Sequence, residues 1–121
     1  MSEASKENLT EQRAASFDTT AFADQFCTDG DHVIIASGEI DLSTAPKLWE
    51  ALALLIERGH REVVLDLAGV EFIDSQGIAV LARAHRRLAP EGGTVVVRAP
   101  REQARKVFET SGLASLIRLE D

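Results

Sequence analysis

Within Val63–Leu81, VVLDLAGVEFIDSQGIAVL, a strand pattern changes to a helix pattern, and this change defines the class of fold. The run Val63–Leu65 is short, apolar and rich in β-branched residues, which is typical of a strand buried on both faces. After a short loop, the apolar spacing becomes that of an amphipathic helix, which begins at Ser75 and is stopped by Pro90. The stretch therefore predicts a strand–loop–helix unit of an α/β protein.

Asp74 and Ser75 lie at the predicted N-terminus of this helix, where several backbone N–H groups have no intrahelical partner. A serine hydroxyl at this position is on the surface and at the positive end of the helix dipole, which favours an added phosphate. Asp and Ser are also the residues preferred as N-caps, so capping alone can account for the pair. Two roles are open for Ser75, a phosphorylation site and a structural cap.

Upstream of this unit the sequence predicts a β-hairpin. One strand lies around Phe22 and Phe26, and a second covers 32–37. An Asp-Gly turn within 29–31 separates them, which is a strong hairpin signal. We expect Gly38 to end the second strand.

The remaining helices and strands are predicted in the same way, from apolar periodicity and from the residue types that begin and end helices. In chain order they are a helix capped by Ser43 or Thr44 and ended by Gly59, a strand at 94–98, a helix from Pro100 to Gly112 and a short last strand at 116–119. The predicted order is ββαβαβα with a final β. Strand–helix–strand crossovers imply parallel neighbours, so we expect one mixed β-sheet with packed helices.

Composition limits the classes of function. The net charge of −7 and the low aromatic content predict a poor nucleic-acid binder. No apolar run approaches the ~20 residues that span a bilayer, and the N-terminus has no signal-peptide pattern. Residues 1–18 are acidic and without apolar periodicity, which predicts a flexible tail before a single domain at 19–121. We expect a cytoplasmic protein that does not insert into membranes.

A serine hydrolase is the first enzyme class to test. Ile73 stands where a nucleophile elbow places its first glycine before Ser75. His85 lies ten residues further along the same helix, which is about 15 Å, too far for a general base. No catalytic triad is predicted.

Metal and nucleotide sites are weakly indicated. Asp66, Glu71 and Asp74 are close in sequence, and carboxylates at a strand end can hold Mg²⁺. The loop between them is apolar, however, and neither glycine-rich phosphate-binding pattern is present. We expect no metal, no cofactor and no enzymatic activity.

Two segments, SGEIDLSTAPKL at Ser37–Leu48 and LDLAGVEFIDSQGIAVL at Leu65–Leu81, closely resemble the STAS domain of bacterial anti-sigma-factor antagonists. The resemblance extends over about 22–119 and implies a STAS-like fold. It also implies that Ser75, which matches the serine of the family's Asp-Ser motif, is phosphorylated by a partner that is both a kinase and an anti-sigma factor. Gln76 stands where many antagonists have a second hydroxyl residue.

The resemblance implies a partner-switching function. Such a protein binds an anti-sigma factor serine kinase and releases a sigma factor; phosphorylation of Ser75 ends the binding, and a phosphoserine phosphatase restores it. In the family the aspartate that matches Asp41 lies near the phosphoserine and contributes to recognition, although an Asx-type turn explains Asp41 equally well. The partner-binding residues expected are Asp41, Ser43, Thr44, Asp74, Ser75, Gln76 and Gly77.

Two alternatives are open. One is a non-sigma STAS scaffold, or an accessory subunit of a signalling complex or lipid-transport assembly, in which Ser75 is only a cap. The other is a small nucleotide hydrolase.

Several side chains are also open to two interpretations. Trp49 lies one position off the apolar stripe of its helix. It is either a residue at the edge of the core or an exposed anchor for a partner. Arg83, Arg86 and Arg87 near the end of the Ser75 helix form a solvated face or a partner contact.

Overall fold

The computed structural model describes residues 25–30 and 32–121. The tail predicted at 1–18, the domain start at residue 19 and Phe22 lie outside these residues. In chain order the elements are β1 Phe26–Asp29, β2 Val33–Ile40, α1 Ala45–Glu57, β3 Glu62–Ile73, α2 Ser75–Leu88, β4 Thr94–Arg98, α3 Glu102–Ser111 and β5 Arg118–Glu120. Short 3₁₀ turns follow α2 and α3. The predicted order, including the final strand, is confirmed.

The five strands form one sheet in the order β1-β2-β3-β4-β5. β1 is antiparallel to β2, and every later pair is parallel. Each parallel pair is joined through a helix, because parallel neighbours need a crossover connection. The expected mixed sheet is confirmed, and the carboxyl ends of β2 and β3 lie at the same edge.

β3 is longer than predicted. The residues expected to form a loop continue the strand to Ile73 and pair with β2. The loop prediction was wrong because Val70 and Ile73 are core residues, at most 1% exposed, and pairing with β2 satisfies this part of the backbone. Pairing of β3 with β4, by contrast, ends at Asp66 and Arg98.

β2 also continues beyond its predicted end. Gly38 lies inside the strand with a φ of +76°, a left-handed conformation that glycine adopts without a Cβ penalty. The register against β3 shifts between Gly38 and Glu39, so the glycine forms an irregularity within the strand. As a result β2 reaches Ile40, opposite Ile73.

One hydrophobic core joins the helices to the sheet. α1 and α2 pack against each other and on the strands, and α3 packs on β3. Leu48, Leu52, Leu81 and Phe108 are completely buried. Each buried side chain of this size contributes roughly 1.5–3 kcal/mol, so their burial holds all three helices on the sheet.

Candidate functional site

The ends of β2 and β3 bring the two sequence motifs together. Ile40 is paired with Ile73, and the Asp74 N–H donates to the Ile40 carbonyl at 3.1 Å. The residues that follow each strand, Asp41 in one chain segment and Ser75 in the other, therefore emerge at one edge of the sheet. This juxtaposition follows from the parallel pairing that the sequence predicted.

Asp74 is the N-cap of α2. Its backbone is extended, and its carboxylate accepts a hydrogen bond from the Gln76 N–H at 2.8 Å. Ser75 is the first helical residue and is exposed. Its hydroxyl has no hydrogen-bond partner among residues 25–30 and 32–121. Capping is therefore done by Asp74, and the Ser75 hydroxyl is left available on the surface.

The β2–α1 turn is organised by the Asp41 carboxylate. Asp41 Oδ1 accepts from the Ser43 N–H at 3.0 Å, the Ser43 hydroxyl at 2.8 Å and the Thr44 N–H at 3.2 Å. Thr44 Oγ1 accepts from the Asp41 N–H at 2.9 Å and donates to the Glu39 carbonyl at 3.0 Å. Of the two predicted caps, Ser43 and Thr44, Thr44 is at the N-cap position of α1, but its side chain makes no capping bond of its own. The Asx-type turn expected as one role of Asp41 is present.

The same contacts predict the titration of Asp41. Hydrogen bonds from the Ser43 hydroxyl, and then from the backbone of Ser43 and Thr44, hold the pKa of the Asp41 carboxyl below its ordinary value of 3.8. Because the folded pKa is lower than the unfolded one, this contribution to stability is present above about pH 4 and is lost as the pH falls through the folded pKa.

Ser43→Ala should raise the pKa of Asp41 towards its ordinary value, because the largest stabilising contact of the carboxylate is removed. Carboxyl-carbon NMR titration measures this directly. Ser115→Ala, at an exposed serine of the turn after α3, is the matched control. An unchanged Asp41 pKa in the Ser43 variant would contradict the assignment of these contacts.

Gly77 lies beneath the site. A Cβ on this residue would stand 2.5 Å from Cγ1 and 2.7 Å from Cδ1 of Ile73, and 2.8 Å from Cγ2 of Ile40. The absence of a side chain lets the first turn of α2 approach the two strand ends. Gly77 is buried, so it shapes the edge that carries Asp41 and Ser75 from below.

A groove runs between α1 and α2, starting beside the first turn of α2. It encloses about 400 Å³, and its lining includes Leu42, Pro46, Trp49, Gln76, Val80 and Arg83. Leu42 is 72% exposed, although it is apolar. Sequence reasoning missed Leu42; the available signal was an apolar residue placed between two polar turn residues.

Trp49 is a core-edge residue whose outer face is covered. It is half-buried and packs against the core. The guanidinium carbon of Arg83 lies 3.9 Å from the ring centroid, and that of Arg87 lies 5.9 Å from it. These are cation–π distances, so the two arginines contact Trp49 and are not simply solvated.

Asp66, one of the carboxylates considered for a metal site, has other partners. Asp66 Oδ2 lies 3.3 Å from Nη2 of Arg98, and Asp66 Oδ1 accepts from the Ala68 N–H at 2.9 Å. Within the part of the chain that the structure describes, no group of three or more His, Cys, Asp or Glu residues is placed to hold a metal ion. In the same residues, no helix has the length and apolar character needed to cross a membrane.

A mixed five-stranded sheet that presents an exposed serine next to a capped helix N-terminus has the architecture of a STAS domain. The family model described as "Mlab, STAS domain" matches residues 26–118, which is most of the chain. The chain belongs to the STAS domain family and, within it, groups with the anti-sigma factor antagonists.

Relatives and solved structures agree with this assignment. The chain is 32% identical over 94 residues to the anti-sigma-B factor antagonist of Listeria monocytogenes, covering 77% of this chain and 82% of that protein. The crystal structure of an anti-sigma factor antagonist from Mycobacterium paratuberculosis matches with a TM-score of 0.69 at 30% identity, over 85% of this chain and 84% of that one.

SpoIIAA supports the fold alone, because its identity to this chain is low. Unphosphorylated SpoIIAA, an anti-sigma factor antagonist, matches with a TM-score of 0.67 at 22% identity, over 78% of this chain and 85% of that one. Phosphorylated SpoIIAA, described as a Bacillus cell fate determinant, matches with a TM-score of 0.59 over 86% and 90% of the two chains.

Proposed function

We propose that this protein binds a serine-kinase anti-sigma factor, thereby releasing a sigma factor, and that phosphorylation of Ser75 ends the binding. The relatives that match are named as antagonists of anti-sigma factors. The observation that carries the proposal is the Ser75 hydroxyl, which is exposed and free of the capping role because Asp74 fills it.

The binding surface comprises the β2–α1 turn and the first turn of α2. Its residues are Asp41, Ser43, Thr44, Asp74, Ser75 and Gln76, with Gly77 beneath them. The turn is held by the Asp41 carboxylate, which accepts hydrogen bonds from the Ser43 N–H, the Ser43 hydroxyl and the Thr44 N–H. A preorganised polar edge loses little conformational freedom on binding, and this favours affinity.

Phosphorylation changes the charge of this edge without breaking the fold. The kinase transfers the γ-phosphoryl group of ATP to Ser75 Oγ, which loses its proton, and ADP leaves. The phosphate brings nearly two negative charges to a helix N-terminus, which the helix dipole favours by about 0.3–1 kcal/mol. The phosphate instead destabilises the complex with the kinase, because the binding surface fits a neutral hydroxyl at residue 75.

A phosphoserine phosphatase would hydrolyse the phosphate and restore binding. SpoIIAA, whose fold this chain shares, has been solved in unphosphorylated and phosphorylated forms, so a domain with this fold can carry a phosphate while folded. A sigma-factor regulator of this type works in the cytoplasm, and this is where we place the protein.

Gln76 does not compete with Ser75 as an acceptor. It has no hydroxyl, its N–H is taken up by the Asp74 carboxylate, and its side chain lines the α1–α2 groove. Ser75 is therefore the one acceptor that this motif offers to the partner kinase.

The test is to incubate the protein with ATP and the candidate kinase and to locate phosphate by mass spectrometry. Ser75→Ala should abolish incorporation and cost the fold less than about 1 kcal/mol, since Asp74 remains as the cap. Ser115→Ala, which removes an exposed hydroxyl in the turn after α3 and outside the proposed binding surface, should still be phosphorylated. Stoichiometric phosphorylation of the Ser75→Ala protein would refute the proposal, whereas partner binding without any phosphorylation would favour the scaffold alternative.

A further inference from the structure

The last part of β3 lacks a strand neighbour on one side. Pairing with β4 ends at Asp66, whereas pairing with β2 continues for seven further residues to Ile73. The Asp74 N–H points to β2, where it donates to the Ile40 carbonyl. Peptide groups of successive strand residues point to opposite sides, so the N–H and C=O of Ile73 face the side that β4 leaves open.

Two residues at the start of α3 occupy this open side. The Gln103 side chain is bidentate: its Oε1 accepts from the Ile73 N–H at 3.0 Å, and its Nε2 donates to the Ile73 carbonyl at 3.0 Å. Arg101 Nε donates to the Ala68 carbonyl at 2.9 Å. A primary amide carries an acceptor oxygen and an NH₂ donor. Gln103 therefore makes to Ile73 the two backbone contacts that a neighbouring strand would otherwise make.

These contacts fix the backbone immediately before the site. Ile73 precedes the N-cap Asp74 and lies two residues before Ser75. Without Gln103, two backbone polar groups beside the core would need water or a new partner, and the strand end would be held by β2 alone. The direction in which α2 leaves the sheet is thus determined from both sides of β3.

We propose that Gln103 is a positioning residue for the Ser75 switch: it holds the β3–α2 junction so that the serine hydroxyl meets the kinase in one orientation. This inference rests on the proposed function, since it concerns how Ser75 is presented to the partner. Phosphoryl transfer depends on placing the acceptor oxygen in line with the γ-phosphorus, so loosening the junction slows the transfer.

Two variants test the inference. Gln103→Met keeps the length of the side chain but removes both hydrogen bonds. Gln103→Glu retains an acceptor for the Ile73 N–H and loses the donor to its carbonyl. Glu109→Met, at an exposed position of the same helix, is the matched control. All variants are compared at a temperature at which circular dichroism shows them fully folded.

Native-state amide hydrogen exchange provides the readout that does not depend on a kinase. In Gln103→Met, exchange of the Ile73 N–H should accelerate about tenfold, with Leu52 in α1 and the control protein unchanged. Unchanged protection of the Ile73 N–H would overturn the inference, because the hydrogen bonds from Gln103 would then not stabilise the end of β3.

Kinase assays provide the functional readout. The kcat/KM for phosphorylation of Gln103→Met should fall about tenfold, with a smaller loss for Gln103→Glu and none for the control. A wild-type rate in Gln103→Met would overturn the inference and leave the proposed function intact. If the wild-type protein itself is not phosphorylated, the proposed function is what fails, and the exchange of Ile73 still decides whether Gln103 fixes the junction.

Discussion

Ser75→Asp is expected to weaken binding of the partner kinase about a hundredfold while the domain stays folded. The aspartate places a charge next to the N-cap residue Asp74, on the surface that we propose binds the partner while residue 75 carries a neutral hydroxyl. Burying that charge unpaired in the complex costs several kcal/mol, whereas the helix dipole accepts it in the free protein. Isothermal titration with the kinase measures the loss.

Thr110→Asp adds the same charge on α3, away from the edge that carries Ser75, and should bind normally. Backbone NMR shifts of the Ser75→Asp protein should be close to those of the wild type except near the β3–α2 junction. Normal binding by a folded Ser75→Asp protein would contradict the electrostatic account of the switch.

Gly77→Val should lower the free energy of unfolding by about 3 kcal/mol. Its Cβ alone would stand 2.5 Å from Ile73 and 2.8 Å from Ile40, whose side chains are fully buried in the core. The gain in helix propensity over glycine is below about 1 kcal/mol, too small to offset the clash. In a domain of this size the melting temperature should fall by roughly 15 °C.

Ala79→Val is the control for this change, because it adds a branched side chain on the exposed face of the same helix. It should cost only about 0.5 kcal/mol, the β-branched penalty in a helix. Equal melting temperatures for the two variants in thermal unfolding would show that α2 does not approach the strand ends as closely as the structure requires.

Much of the fold can be predicted from local signals. Residue type and apolar spacing predicted Ser75 as the first residue of α2, and Ser43 or Thr44 as the N-cap of α1, where the structure has Thr44. The end of β2 was not predicted, because Gly38 has the local signature of a chain break, and the residues after the apolar run of β3 were predicted to form a loop. In the folded chain these residues lie inside paired strands, and only the tertiary pairing of β2 with β3 shows this.

The candidate site was likewise predictable only in part. That Asp41 and Ser75 lie at one edge of the sheet follows from the parallel pairing of the strands that precede them. The Gln103 contacts could not, because a glutamine on a helix gives no sequence signal for a backbone group thirty residues away. The stacking of Arg83 on Trp49 likewise depends on how α1 and α2 pack.

The most direct test of the account is to titrate the partner kinase with this protein before and after enzymatic phosphorylation, with the site verified as Ser75 by mass spectrometry. We predict that the dissociation constant rises at least about a hundredfold on phosphorylation and returns to its first value after phosphatase treatment. Equal dissociation constants for the two forms would contradict the claim that phosphorylation of Ser75 controls binding.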